Sequence, residues 1–318
     1  MKTIIAAALS IGAALIALAW PPAATSAELM ARPGDFAAVA ARLKPGDTLT
    51  LVGRFPGPLR PKGALLSGVT IRARGAAVEG LFYPAGAVQG LTIVGGTWAG
   101  VRVDGAEGLT VTGGAVFRGP DPADGYGLFV NGGRDVAVTG VAFESFKTAI
   151  VLNRVEGFRV EGSGFARMRS DGMTIGESRR GRVAGNVFHG TRITGDEHPD
   201  AVQLYSRPAS PPTADIVIED NDVAGMTQGL AGFNHVRNGV DDGGFDRIAV
   251  RGNRLKVGFP HAVALYDCRD CRVEGNAVET YPGAAYRASI NAVRGSVARC
   301  GNRIAPGAGK PGLVDPAC

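Results

Sequence analysis

Arg182-Val183-Ala184-Gly185-Asn186-Val187-Phe188, Ile248-Ala249-Val250-Arg251-Gly252-Asn253-Arg254-Leu255 and Arg272-Val273-Glu274-Gly275-Asn276-Ala277-Val278 share one pattern: an alternating strand, Gly-Asn, then a further apolar pair. Looser copies run from Leu109 to Val116, Val136 to Phe143, Phe158 to Phe165 and Ile216 to Val223. Apolar and polar residues alternating at period two mark a strand with one buried face. Between copies lies a second short strand, opened by Tyr126, Thr148, Asp171, Asp200, Gln228 and His261, whose starts are 22, 23, 29, 28 and 33 residues apart. A period in the low twenties with occasional insertions predicts a solenoid of short parallel strands.

Outward from this repeat, the 48 glycines among 318 residues follow no collagen-like triplet and suit tight turns between many short strands. Nothing reads as a linker, so residues 28–318 are expected to form one elongated domain. Phe36 to Leu43, after Pro33-Gly34-Asp35, has an apolar helical face and predicts a short helix that covers the open N-terminal end of the stack. Lys2, the apolar run Ile4 to Ala19, Pro21-Pro22 and Thr25-Ser26-Ala27 read as a secretory signal peptide over residues 1–27. That run falls short of the ~20 residues of a membrane span, and no later segment is apolar enough to be one.

The expected location is therefore periplasmic or secreted, with the four cysteines oxidised. Cys268 with Cys271 and Cys300 with Cys318 is the preferred pairing; spacing alone leaves two other connectivities open. No second metal-type pair or suitably spaced histidine accompanies Cys268 and Cys271, so they are not read as a metal site. The formal charge of +5 comes from positive residues, mostly Arg, scattered singly rather than in a run. For an exported chain this favours an acidic polysaccharide over nucleic acid as partner, beside an equally weighted reading in which no partner is implied.

With these features the chain resembles the right-handed parallel β-helix proteins of the pectate-lyase-like superfamily, the architecture of pectate lyases, polygalacturonases, alginate lyases and mannuronan C5-epimerases. Leu43-Lys44-Pro45-Gly46-Asp47-Thr48-Leu49 is similar to the first turn of exported members, and Asn186, Asn221, Asn253, Asn276 and Asn302 to the fold's internal asparagine ladder. The resemblance implies an all-β chain with carbohydrate as ligand, and a monomer is expected.

Stacking the second strands makes equivalent residues neighbours about 4.8 Å apart. Leu128, Ile150, Met173, Val202, Leu230 and Val263 then form a buried column. Gly127, Ala149, Gly172, Ala201, Gly229 and Ala262 form a small, outward column that would leave a shallow trough. Tyr205, Phe233 and Tyr266 share an outward aromatic column that would suit sugar faces, although such columns also stabilise sheets. At the strand entrance Asp171 and Asp200 sit one coil apart, close enough to repel unless a proton or cation intervenes, with Lys147, Arg167 and Arg169 as candidate cations.

These columns converge on Asp196-Glu197-His198-Pro199-Asp200, where the acids and imidazole lie in a turn ahead of the strand. Removing the proton beside a uronate carboxylate needs a base, a cation on the carboxylate and a proton donor. The expected catalytic residues are His198 as base, Arg169 as neutraliser, with Arg207 as the other candidate for that part, Tyr205 as donor, and the pair Asp171 and Asp200. Gln203, Arg207, Phe233, His261 and Tyr266 are the expected substrate contacts. The stretch is similar to the Asp-Pro-His motif of bacterial alginate epimerases, with proline following the histidine instead of preceding it. A polysaccharide lyase or C5-epimerase acting on a uronic-acid polymer is the leading expectation. A glycoside hydrolase using Asp171 and Asp200 and a non-catalytic binder are the alternatives. Asp241, Asp242 and Asp246 offer oxygen ligands of the kind Ca2+ takes, but they match no calcium loop and read more simply as solvated acids.

Overall fold

The computed structural model describes residues 26–121, 123–191, 197 and 199–318. The signal-peptide segment 1–25, Asp196 and His198 lie outside the described residues. The chain winds as a parallel β-helix with three strand-bearing faces. The first face runs through Thr97–Glu107, Tyr126–Thr139, Thr148–Glu161, Met173–Gly176, Asp200–Tyr205, Gln228–Gly232, His261–Tyr266 and Ser289–Val293, each paired in parallel with the next. The second carries Arg179–Ala184, Thr213–Glu219, Phe245–Arg251, Cys271–Glu274 and Val297–Cys300. The third carries Val116–Arg118, Ala142–Glu144, Gly164–Ala166, Val187–His189, Asp222–Gly225, Arg254–Val257, Ala277–Thr280 and Arg303–Ile304.

The Gly-Asn dipeptide makes the corner between the second and third faces. Its glycine turns the chain in the left-handed region, as at Gly185, Gly252 and Gly275, and Asp220 takes that conformation where the glycine is missing. The asparagine that follows points inward. Asn186, Asn221, Asn253, Asn276 and Asn302 are buried, and each of the first four donates its side-chain amide to the next one's Oδ1 at 2.8–3.0 Å. Each also accepts from or donates to main chain that the turn leaves unpaired, for example Asn253 Nδ2 to Ile218 O at 3.0 Å. Asp315, held by Arg299, receives the last amide at 2.7 Å and closes the ladder.

Inside the third face Phe117, Phe143, Phe165 and Phe188 stack with centroids 4.8, 5.2 and 4.3 Å apart. The column Leu128, Ile150, Met173, Val202, Leu230, Val263 is in register and buried throughout, as expected. The capping helix spans Phe36–Ala40, shorter than the predicted eight residues. It buries Phe36 and Ala40, with Phe36 edge-on to Phe55 at 6.2 Å. The other end is covered by Leu313–Val314, antiparallel to Arg303–Ile304, and tied by the Cys300–Cys318 disulfide; Cys268–Cys271 is the second bridge.

Candidate functional site: a cationic groove on the first face

The small-residue column does not form a trough. Gly127, Ala149, Gly172, Ala201, Gly229 and Ala262 are all buried. A Cβ at Gly172 would sit 2.6 Å from the Phe188 ring and from Ala201 O. The chain enters the first-face strand at Asp200 around a corner packed on the phenylalanine stack. Strict in–out alternation therefore fails there, and Asp200, Ala201 and Val202 are buried in succession. Small residues are required by what lies beneath them, not by a ligand above.

The outward side chains farther along these strands do enclose a groove of about 940 Å³. Asp171, Gln203, Tyr205, Arg207, Phe233 and His261 line it, together with Lys147, Thr174, Asn153, His235, Arg237 and Asp242, which sequence reasoning did not name as contacts. Three expected site residues do not. Arg169 points instead to Glu197 at 3.3 Å and Asp124 at 3.5 Å. Tyr266 lies behind the lining, edge-on to Phe233 at 5.2 Å with Arg294 over its ring at 5.5 Å. Asp200 turns away altogether.

The Asp200 carboxyl is fully buried beside Phe165, Met168 and Phe188 in a separate cavity of about 10 Å³, room for about one water. Among the described residues neither of its oxygens has a hydrogen bond of good geometry. Burial first, then the charge of Asp171, raises its pKa well above the carboxylate range; the Gln203 amide nearby opposes this only in part. Asp171, by contrast, reaches the groove. It accepts the Asp200 backbone N–H at Oδ1 (3.1 Å) and the Thr174 hydroxyl at Oδ2 (3.2 Å). The two carboxyls thus do not face each other across a substrate space, and the hydrolase pair loses one member.

A testable consequence follows from the sign of the shift. The folded chain holds the Asp200 proton at pH values where the unfolded chain has released it. Stability therefore falls as pH rises above about 4, the unfolded pKa, and goes on falling until the folded pKa is passed. Asp200→Asn removes that dependence. Melting curves from pH 4 to 8 should show the variant gaining on the wild type as pH rises, by about 2–4 °C or more at neutral pH. A gap that stays constant across this range would contradict the assignment.

Tyr205 is positioned by an absence. A Cβ at Gly176, its partner on the preceding coil, would fall 1.9 Å from the phenol carbon Cζ, so the ring lies flat over that glycine. Its hydroxyl thereby reaches Asn153, 3.1 Å away and two coils back. The surrounding bonds favour the Asn153 orientation in which the amide donates to Tyr205 Oη and to Glu177 Oε2 at 3.2 Å. The phenol proton is then available to the groove. Burial raises the Tyr205 pKa above its usual value, with Arg207, stacked 5.3 Å from the ring centroid, pulling the other way.

At the far end the Asn291 amide nitrogen contacts His261 Nδ1 at 2.9 Å and donates to Ser289 Oγ at 3.0 Å. With both amide hydrogens so placed, a neutral His261 carries its proton on Nε2. Phe233 packs edge-on to His261 and to Tyr266, both at 5.2 Å, so these aromatic groups form an angular cluster. A hairpin, Val236–Arg237 against Val240–Asp241, walls the groove and brings His235, Arg237 and Asp242 to it. Asn234 anchors its base through Asp241 and Asp267, both at 2.9 Å. The acids considered for Ca2+ go separate ways. Asp241 takes Asn234 and the Gly243 N–H, Asp246 pairs with Arg269, and Asp242 faces the groove. Among the described residues no group of three His, Cys, Asp or Glu side chains is placed to hold a metal.

Elsewhere on the coils many arginines meet carboxylates on adjacent turns, as Arg134 does with Glu107, Arg182 with Glu161 and Glu219, Arg251 with Glu219, Arg247 with Asp215 and Arg294 with Asp267, while others, such as Arg159, Arg179, Arg254 and Arg303, have no ion pair among the described residues. Lys147, Arg207 and Arg237 in the groove have no such partner among the described residues. Their positive charge is left for something else.

No family model matches the chain, and no curated protein does. Solved structures do. The surface adhesin PfbA of Streptococcus pneumoniae matches at 10% identity over 82% of this chain and 80% of its own, TM-score 0.44. A polygalacturonase from Erwinia carotovora ssp. carotovora matches at 11% over 86% and 93%, TM-score 0.42. The periplasmic alginate epimerase AlgG matches at 10% over 85% and 83%, TM-score 0.39. These are pectate-lyase-like parallel β-helix proteins or share that coil architecture.

Proposed function

We propose that the chain is exported and binds an acidic, uronic-acid-containing polysaccharide in this groove, acting on it as a lyase or C5-epimerase. The observation that carries the proposal is the convergence of Lys147, Arg207 and Arg237, without ion pairs among the described residues and outnumbering the carboxylates Asp171 and Asp242, on a groove that also holds imidazole and phenol groups. Uronate carboxylates are the complementary charge. An exported monomer is part of the same reading. Export is supported by the two disulfides, which suit an oxidising compartment; among the described residues no helix is long and apolar enough to cross a membrane.

Abstraction of the C5 proton pushes charge onto the sugar carboxylate. The planar guanidinium of Arg207 would bind that group bidentately and stabilise the developing enolate. Tyr205, kept protonated by its raised pKa and supported at its oxygen by Asn153, would give a proton to the leaving glycosidic oxygen or to the opposite face of C5. We assign the base to His198, next in the chain to the Pro199-Asp200 entrance, with His235 on the groove wall as the second candidate. Asp171, fixed by Thr174 and the Asp200 amide, would stabilise the imidazolium so formed. His261, with its proton on Nε2, would serve as a donor to substrate.

Incubating the mature protein with alginate, polygalacturonate and glucuronan separates the outcomes. New unsaturated ends absorbing in the ultraviolet, or deuterium entering C5 from heavy water without chain cleavage, are the expected results, and His198→Ala should abolish whichever is seen. Reducing ends without unsaturation would instead indicate hydrolysis, and binding with no product a non-catalytic lectin-like role.

A further inference from the structure

The groove ends at Tyr126 and Phe129, but the outward column to which Phe129 belongs continues past it. Gln203 pairs with Thr174, Thr174 with Val151, Val151 with Phe129 and Phe129 with Arg102. Since Phe82 pairs with Val101 and bridges to Leu59, the next side chains in line are Tyr83 and Arg60. These four form a continuous stack: Arg60 lies 5.1 Å from the Tyr83 centroid, and Arg102 lies 5.4 Å from Tyr83 and 4.9 Å from Phe129. Six coil steps of about 4.8 Å separate Arg60 from Gln203, about 29 Å along the axis.

The members of the stack differ in what they have left to offer. Arg102 is neutralised by Asp104, with two contacts at 3.2 Å, and the Tyr83 hydroxyl donates to the same carboxylate at 2.8 Å, which fixes the ring. Arg60, exposed at the end, has no carboxylate partner among the described residues. It borders a hollow of about 600 Å³ between this coil and the helix Phe36–Ala40, and Lys62, also without an ion pair among the described residues, borders it too. Tyr126, 48% exposed and 5.6 Å from Phe129, bridges the stack to the groove.

We propose that Arg60 and Lys62 form a distal subsite for a carboxylate-bearing sugar, so that one acidic polysaccharide chain lies along the first face from this hollow, over Tyr126 and Phe129, into the groove. The inference rests on the polyuronate reading of the groove and adds that recognition spans many sugar residues. The stack holds the Arg60 guanidinium over the Tyr83 ring, 5.1 Å from its centroid, where its planar fork of donors can meet a carboxylate. Its cation–aromatic contacts are worth only about 0.5–1 kcal/mol each at an exposed site, too little to make the stack a major prop of the fold.

The test is the dependence of affinity on length, measured by calorimetry with oligomannuronates and oligogalacturonates of two and of ten residues. The wild type should gain strongly from the longer ligand. The Arg60→Ala, Lys62→Ala double variant should lose about tenfold of that gain, the worth of a charge-assisted hydrogen bond. Arg60→Glu should lose more, with melting temperatures unchanged in both. If the wild type binds the decamer and both variants keep its full advantage, the distal subsite is wrong while the groove reading stands. If the wild type binds neither length of either oligomer, the groove reading fails and the subsite with it.

Discussion

Arg207→Ala should fold and melt like the wild type yet lose about 10²–10³-fold in kcat/KM on a polyuronate, most of it in kcat. The side chain is exposed and packs on the Tyr205 ring without joining an inter-coil ion pair among the described residues, so its removal leaves the fold intact. Its charge matters most where the sugar carboxylate takes on enolate character, and a group that strengthens its grip only then acts on the chemical step. Arg207→Lys keeps the charge but not the fork, and should fall between the two. Steady-state rates on the substrate that the turnover screen identifies, with melting curves alongside, make the check. An unchanged kcat with a raised KM would instead mean that Arg207 binds ground state and transition state alike.

Asn253→Ala should cost about 3–5 kcal/mol, far more than its small loss of volume suggests. The side chain lies at the middle of the ladder. Its Oδ1 accepts the Asn221 backbone N–H at 3.0 Å and the Asn221 amide at 2.9 Å, while its own amide donates to Ile218 O, to Arg251 O and to Asn276 Oδ1. Alanine would strand buried donors and acceptors on both neighbouring coils, each costing about 1–3 kcal/mol. Urea titration followed by circular dichroism should show this loss. A change below about 1 kcal/mol would mean that water enters and replaces the amide.

Much of this architecture was legible in the amino-acid sequence because the repeat carries its own physics. A glycine that can turn left-handed, followed by an asparagine that can satisfy the turn's main chain, marks a corner wherever it recurs. Alternation then gives the register of the apolar column from Leu128 to Val263. The cysteine pairing was also anticipated, though spacing could only rank it.

What alternation could not convey is the corner ahead of the first-face strand at Asp200. There the phenylalanine stack buries three residues in a row, so Ala201 and Asp200 go inward where a two-residue period sends one of them out. Arg169 was misplaced for a different reason. Proximity in sequence to Asp171 says nothing of the coil above, where Glu197 competes for it. The hairpin residues His235, Arg237 and Asp242 sit in an insertion with no counterpart in other coils, which leaves no column in which to align them. Arg60, Tyr83 and Arg102 belong to early coils whose repeat is too irregular to put in register by pattern alone.

The central claim is that separate coils assemble one cationic groove for carboxylated sugars, and binding to matched polymers tests it most directly. Purified wild-type protein should bind polygalacturonate or alginate, weaken as salt is raised, and lose binding to the same polymer after its carboxylates are reduced to alcohols. Equal affinity for the charged and the carboxyl-reduced polymer, or no affinity for any polyuronate, would contradict the account.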